Sequence, residues 1–279
     1  MALPPHVLEF SSDDPLATAT LDALYHAARI TDAPPTLRYA LHDAGPDAYI
    51  ATSPHRPPFG PAPLADCWVF LEWRAIEDVL NDPGPEVVFI HAAGVRLGDR
   101  LVLLVGPSGS GKSTLTALLL ERGYAALGDD VLRFAPLNPS YHAVPRSLKL
   151  DRNTFAMLGL DTRNLAMKSR GTFFADSVHY LSPLALNRAW EADPGLPWGV
   201  VVLGEGLRDG PARLERSSEG QAAVRVVQSL MGARYGMGAE ATADAGLRLL
   251  ESVANAQAFR AEGSGAAELA ELIVEAAQA

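Results

Sequence analysis

The residues best equipped for chemistry lie in one short run, Gly106-Pro107-Ser108-Gly109-Ser110-Gly111-Lys112-Ser113-Thr114. Its glycines let backbone N–H groups turn inward around an anion, because glycine adopts positive φ without steric cost. A lysine and a hydroxyl follow at once, which completes the order G-x-x-x-x-G-K-S. That set of groups suits a nucleoside triphosphate. Loop amides surround phosphate oxygens, Lys112 reaches the β- and γ-phosphates, and the Ser113 hydroxyl ligates Mg²⁺. ATP with Mg²⁺ is the expected ligand.

Such a loop functions only when a strand delivers it and a helix follows it. Leu101 to Val105 is an apolar run of strand length. After the loop, Leu115, Leu118 and Leu119 share one helical face, and Gly123 stands where a helix would end. The helix N-terminus adds positive potential at the phosphates. A surface turn that happens to contain a lysine is the bland alternative, and the strand–turn–helix context argues against it. Gly98-Asp99 reads as a two-residue hairpin turn between Val95–Leu97 and Arg100–Val105. The loop strand therefore arrives by a hairpin, which predicts a mixed sheet instead of a purely parallel one.

Two further features stand at informative positions. Asp129 and Asp130 follow a short strand, Tyr124 to Leu127, and precede another, Val131 to Phe134. A Mg–nucleotide site needs such an acid to hold the metal or to orient the nucleophile. His91 ends the strand read over Glu86 to Ala92, just before the hairpin. Taken alone, a histidine on an apolar strand is more often a satisfied core residue.

Together, His91-Ala-Ala-Gly-Val, the phosphate loop, Glu121-Arg-Gly-Tyr and Gly128-Asp129-Asp130 resemble the catalytic domain of bacterial HPr kinase/phosphorylase over roughly residues 86 to 135. The resemblance implies an α/β fold: a P-loop kinase core of the HPr kinase/phosphoenolpyruvate carboxykinase type with a mixed sheet. It also implies roles. Lys112 binds and polarises the transferring phosphate and Ser113 ligates Mg²⁺. Asp130 accepts the proton of the substrate hydroxyl, Asp129 stands beside it at the metal or the nucleophile, and His91 lines the same site. The residues alone leave open which carboxylate is the base and which the metal ligand. The bifunctional enzyme's glutamate–arginine–glycine signature is missing, since Arg170-Gly171 lacks the glutamate, and Thr114 replaces an acidic residue. The chain is thus more similar to stand-alone relatives of that kinase, some of which phosphorylate a serine of a precursor peptide and others free serine. The best-known member of the family is a hexamer, so the resemblance allows a homo-oligomer.

The 279 residues, 48% of them hydrophobic, suffice for a large domain plus a lobe. Residues 1–84 read as a small α+β N-terminal lobe suited to substrate recognition, and 85–279 as the catalytic domain. In the lobe, Leu16 to Ile30 has helical spacing, and two short strands flank Asp43-Ala44-Gly45-Pro46. Ser53 to Pro63 reads as a proline-rich loop. Cys67 to Leu80 reads as helical or mixed, with Trp68, Phe70, Leu71 and Trp73 expected in the core. Trp198 to Leu203 reads as a buried strand. Three alanine-rich helices follow, over Glu219–Met231, Ala241–Gln257 and Ala266–Ala277.

A formal charge of −10 argues against nucleic acid as a partner. The single cysteine, Cys67, excludes an intrachain disulfide. With no signal-peptide pattern and no run of 18 apolar residues, the expected setting is cytoplasmic, away from membranes. Asn138 to Arg170 reads as irregular. From Val131 to Gly171 seven basic residues (Arg133, Arg146, Lys149, Arg152, Arg163, Lys168, Arg170) outnumber two acidic ones, Asp151 and Asp161. That local excess predicts groups facing phosphates or an anionic substrate. The expected activity is a Mg-ATP-dependent serine-type kinase acting on a hydroxyl-bearing acceptor: a peptide, a protein or a small molecule. The alternative is a P-loop NTPase or nucleotide-binding regulator that transfers no phosphate to an acceptor. A transporter-type ATPase would carry a Leu-Ser-Gly-Gly-Gln-like signature, which the chain lacks.

Overall fold

A computed structural model describes residues 2–3, 6–25, 33–82, 87–144, 146–159, 178–186, 188, 190, 195–204, 210–231 and 238–279. Among these the fold is mixed α/β, with mixed sheets and seven α-helices. No helix among them is long and apolar enough to cross a membrane. The chain forms two compact units, residues 1–84 with 145–185, and residues 85–144 with 186–279.

The first unit begins with β1 (Ala2–Leu3), β2 (His6–Ser12) and α1 (Pro15–Tyr25). The strands β3 (Leu37–Gly45), β4 (Ala48–Thr52) and β5 (Phe59–Ala62) complete a sheet ordered β1-β2-β3-β4-β5. Only β2 and β3 pair in parallel, so α1 lies within a crossover. The helix α2 (Leu64–Asn81) packs over β3, β4 and β5. It buries Trp68 completely, against Phe10, which stacks on Tyr39. Trp73, expected in the core, is instead 42% exposed. Its neighbours Val69, Leu71 and Ala75 take the buried stripe of the helix.

The second unit opens with β6 (Val88–Ile90), β7 (Ala92–Leu97) and β8 (Arg100–Val105). The hairpin between β7 and β8 turns on Gly98, at a φ of 68°, with Leu97 opposite Arg100. The loop helix α3 (Lys112–Glu121) ends in a Schellman motif. Tyr124 N–H donates to Leu119 O and Gly123 N–H to Leu120 O, with Gly123 left-handed at 99°. Next come β9 (Ala125–Gly128), β10 (Leu132–Ala135) and β11 (Ser140–Ala143).

The chain then returns to the first unit for β12 (Leu148–Asp151), α4 (Arg152–Met157) and β13 (Val178–Leu181), the two strands pairing antiparallel. It re-enters the second unit as β14 (Pro197–Leu203), β15 (Arg213–Arg216), α5 (Glu219–Gln228), α6 (Ala239–Val253), β16 (Gln257–Glu262) and α7 (Ala266–Gln278).

Six strands of the second unit form one sheet, ordered β15-β16-β14-β8-β7-β9. The loop strand β8 sits inside it, parallel to β14 and antiparallel to β7. Leu101, Leu103 and Val105 of β8 join a core with Val200, Val226 and Leu249, from β14, α5 and α6. The helices α3 and α7 pack together and against β7. A second sheet, β11-β10-β6, extends the same core through Ile90, Leu132, Phe134 and Tyr141.

Several expectations are corrected here. Glu86 to Ala92 is not one strand, because β6 and β7 belong to different sheets and the chain changes sheet at His91. The described residues between 145 and 185 group with the first 84 residues and not with the expected 85–279 domain, and Arg146 and Lys149 find a partner there. Glu72 on α2 is 2% exposed and pairs with Lys149 Nζ at 2.8 Å and Arg146 at 3.5 Å. Those two cations therefore face an internal carboxylate, not a phosphate. Arg163, Lys168 and Arg170 lie outside the described residues. The strands β5, β11, β12 and β16 fall where loop, irregular chain or helix end was read.

Candidate active site

The phosphate loop spans the end of β8 and the start of α3. Gly109 and Gly111 both take positive φ, 77° and 93°, and Gly111 caps the helix in the left-handed region. Gly106 is required for a different reason, namely close approach. A Cβ there would stand 2.8 Å from Leu203 O, at the end of the neighbouring strand β14, and 2.8 Å from Ser110 Oγ. Pro107, Ser108 and Gly109 form the exposed crest of the loop, whereas Ser110 is buried beneath it.

Lys112, the first residue of α3, is 5% exposed. Its Nζ donates to Gly106 O and Pro107 O, both at 3.0 Å, which curls the ammonium back into the loop. Burial holds its pKa below the usual lysine value, while the charges of Asp130 and then Asp129 pull it back up. The carboxylates are therefore within electrostatic reach of the loop lysine. Ser113 and Thr114 follow in the first helical turn, both half-buried.

Strand pairing explains why residues so distant in the chain meet. β6 pairs with β10, Ile90 opposite Leu132, and β7 pairs with β9, Gly94 opposite Gly128. The short segments between those pairs, 91–93 and 129–131, must then lie across from each other at the junction of the two sheets. His91 Nε2 meets Asp130 Oδ1 at 2.9 Å, the side chains being 30% and 39% exposed. Asp129 goes inward and is only 4% exposed. The two aspartates occupy the bend between β9 and β10, and the bend separates a buried carboxylate from an accessible one.

Sequence reasoning missed what fixes the histidine. His91 N–H donates to Ser229 O at 2.7 Å, and Met231 N–H donates to Phe89 O at 2.9 Å. The chain just after α5 thus adds a short antiparallel bridge to β6, Ile90 opposite Leu230. Backbone pairing of this kind leaves no signature in side-chain types. A second unforeseen support is Arg188, whose Nε donates to Leu120 O at the end of α3.

The Ser113 hydroxyl and the buried Asp129 carboxylate are the groups of this loop and bend that could hold Mg²⁺. Among the described residues no three His, Cys, Asp or Glu side chains cluster into a protein-only metal cage. One hydroxyl and one carboxylate nevertheless suit Mg²⁺, which keeps several waters and takes phosphate oxygens as further ligands.

No protein-family model matches the chain, and no curated protein matches it.

Proposed function

We propose that the protein is a Mg²⁺- and ATP-dependent kinase. It transfers the γ-phosphate to a serine-type hydroxyl of a peptide, protein or small-molecule acceptor. Its loop-bearing unit is a P-loop kinase core of the HPr kinase/phosphoenolpyruvate carboxykinase type. One observation carries the proposal. An imidazole–carboxylate pair, His91 and Asp130, stands where its charge acts on the lysine of the phosphate loop.

Phosphoryl transfer needs in-line positioning, charge neutralisation and a base near the attacking oxygen. Each requirement has a candidate. The loop amides and Lys112 hold the phosphates. Asp130, the more exposed carboxylate, takes the proton of the acceptor hydroxyl as its oxygen bonds to the γ-phosphorus and the bond to the β-phosphate oxygen breaks. The His91 contact orients Asp130 for that task. Ser113 and Asp129 would hold Mg²⁺, which when bound neutralises charge on the phosphate oxygens.

The test is phosphate transfer from ATP to free serine and to a panel of seryl peptides. Asp130→Asn is expected to bind nucleotide with near-normal affinity and to lose transfer by about 10²-fold or more. Undiminished turnover in that variant would remove Asp130 as the base. Binding or hydrolysis of ATP with no phosphate on any acceptor would mark a P-loop NTPase or a nucleotide-binding regulator instead.

A further inference from the structure

A second basic feature stands on the three-stranded sheet of the same unit. Leu132 and Phe134 of β10 face the core, so Arg133 between them faces the other side. Its antiparallel partner on β11 is His142, directly across the ladder. Such partners have Cα atoms about 4.5–5.5 Å apart and side chains on one face.

The state of the two groups is unusual. Arg133 is half-buried, and burial alone depresses its pKa from the ordinary guanidinium value. Its Nε is buried and makes no hydrogen bond among the described residues. A half-buried guanidinium whose Nε has lost water carries part of a desolvation cost that an incoming anion would offset. His142 stands across the ladder from it. Ser140 Oγ lies 2.9 Å from His142 Nε2 and donates its only proton to Asn138 O at 2.8 Å. It must therefore accept from Nε2–H, leaving Nδ1 to gain any second proton. Burial first, then the Arg133 charge, hold His142 below its ordinary pKa, so it is neutral at pH 7. The pair presents one net positive charge, which matches a monoanion.

Its position relates it to the site above. Arg133 pairs with Phe89 on β6, and His91 directly follows the end of that strand.

We infer that Arg133 forms a carboxylate-binding subsite, that His142 beside it senses the bound charge at Nδ1, and that the carboxylate belongs to the acceptor whose hydroxyl meets Asp130. The assignment to an acceptor rests on the kinase function proposed above, whereas the subsite itself does not. The acceptor class is then a hydroxyl compound with a carboxylate close by, such as free serine or a seryl peptide with an acidic neighbour.

Two measurements test this. In the first, the ring protons of His142, assigned by their loss in His142→Asn, are titrated by NMR with and without acetate. Acetate is expected to raise the titration midpoint saturably in the native protein, to do so in Arg133→Lys, and to leave Arg133→Gln unmoved. An equal response in Arg133→Gln, or none in the native protein, overturns the subsite. A stronger response to sulfate than to acetate overturns the choice of a carboxylate over a phosphate.

In the second, transfer to seryl peptides with and without a glutamate beside the serine is compared. Arg133→Gln is expected to raise KM about tenfold or more for the acidic peptide only, with kcat nearly unchanged. Equal losses on both peptides overturn the link to the acceptor. Should no acceptor be phosphorylated while acetate still distinguishes native protein from Arg133→Gln, the subsite stands and the kinase function falls.

Discussion

Lys112 is poised between two sets of partners. Its ammonium donates to two carbonyls of its own loop. The charges of Asp130 and Asp129 act on the same ammonium. Lys112→Ala is expected to reduce phosphate transfer by about 10³-fold or more, as measured by steady-state kinetics at saturating ATP. Gly106→Ala acts differently. The added methyl meets the Leu203 carbonyl, which belongs to the sheet and cannot yield cheaply. We expect a loss of about 1–3 kcal/mol in stability by urea denaturation, together with weaker nucleotide binding. These residues were legible in the sequence because their requirements are local: a turn, a helix start and a motif within nine positions. The contact between His91 and Asp130 was not legible in that way, since it depends on which strands pair.

Among the elements, the decisive event is a double change of sheet. β6 and β7 are consecutive but belong to different sheets, as do β9 and β10. Each junction carries functional candidates, because a chain leaving one sheet for another must bend and turn side chains away from the ladder. Read as a single strand, Glu86 to Ala92 hid this, since apolar periodicity records burial but not which sheet does the burying.

For Arg146 and Lys149, the basic excess after Val131 misleads for a related reason. Net charge counts signs and ignores partners, and the partner of Arg146 and Lys149 lies far upstream, on α2. Glu72→Ala would remove the buried carboxylate that pairs with two largely buried cations, at a cost of about 3 kcal/mol or more. Glu72→Gln, which keeps shape and hydrogen-bonding capacity, should cost less. Chemical denaturation of the two variants checks the order, and equal stability of Glu72→Ala and the native protein would show that the cluster holds nothing together.

At the scale of the molecule, two compact units share one chain that leaves and re-enters each. Calorimetry is expected to resolve two unfolding transitions. Glu72→Ala should lower one of them, and ATP with Mg²⁺ should raise the other, because a ligand stabilises the unit that binds it. A single transition moved by both would show that the units unfold together.

What the sequence determined by itself was everything whose cause is short-range: the phosphate loop, the hairpin that delivers it, the helix that leaves it and the Gly123 stop. Local φ/ψ demands and apolar spacing over a few residues dictate all of these. Only the tertiary structure decided that residues 145–185 fold with the first 84, that Asp129 is buried while Asp130 meets His91, and that Arg133 stands beside His142. Those outcomes depend on strand order and register. They are settled by the sum of many weak packing terms over the whole chain, and no single residue type announces that sum.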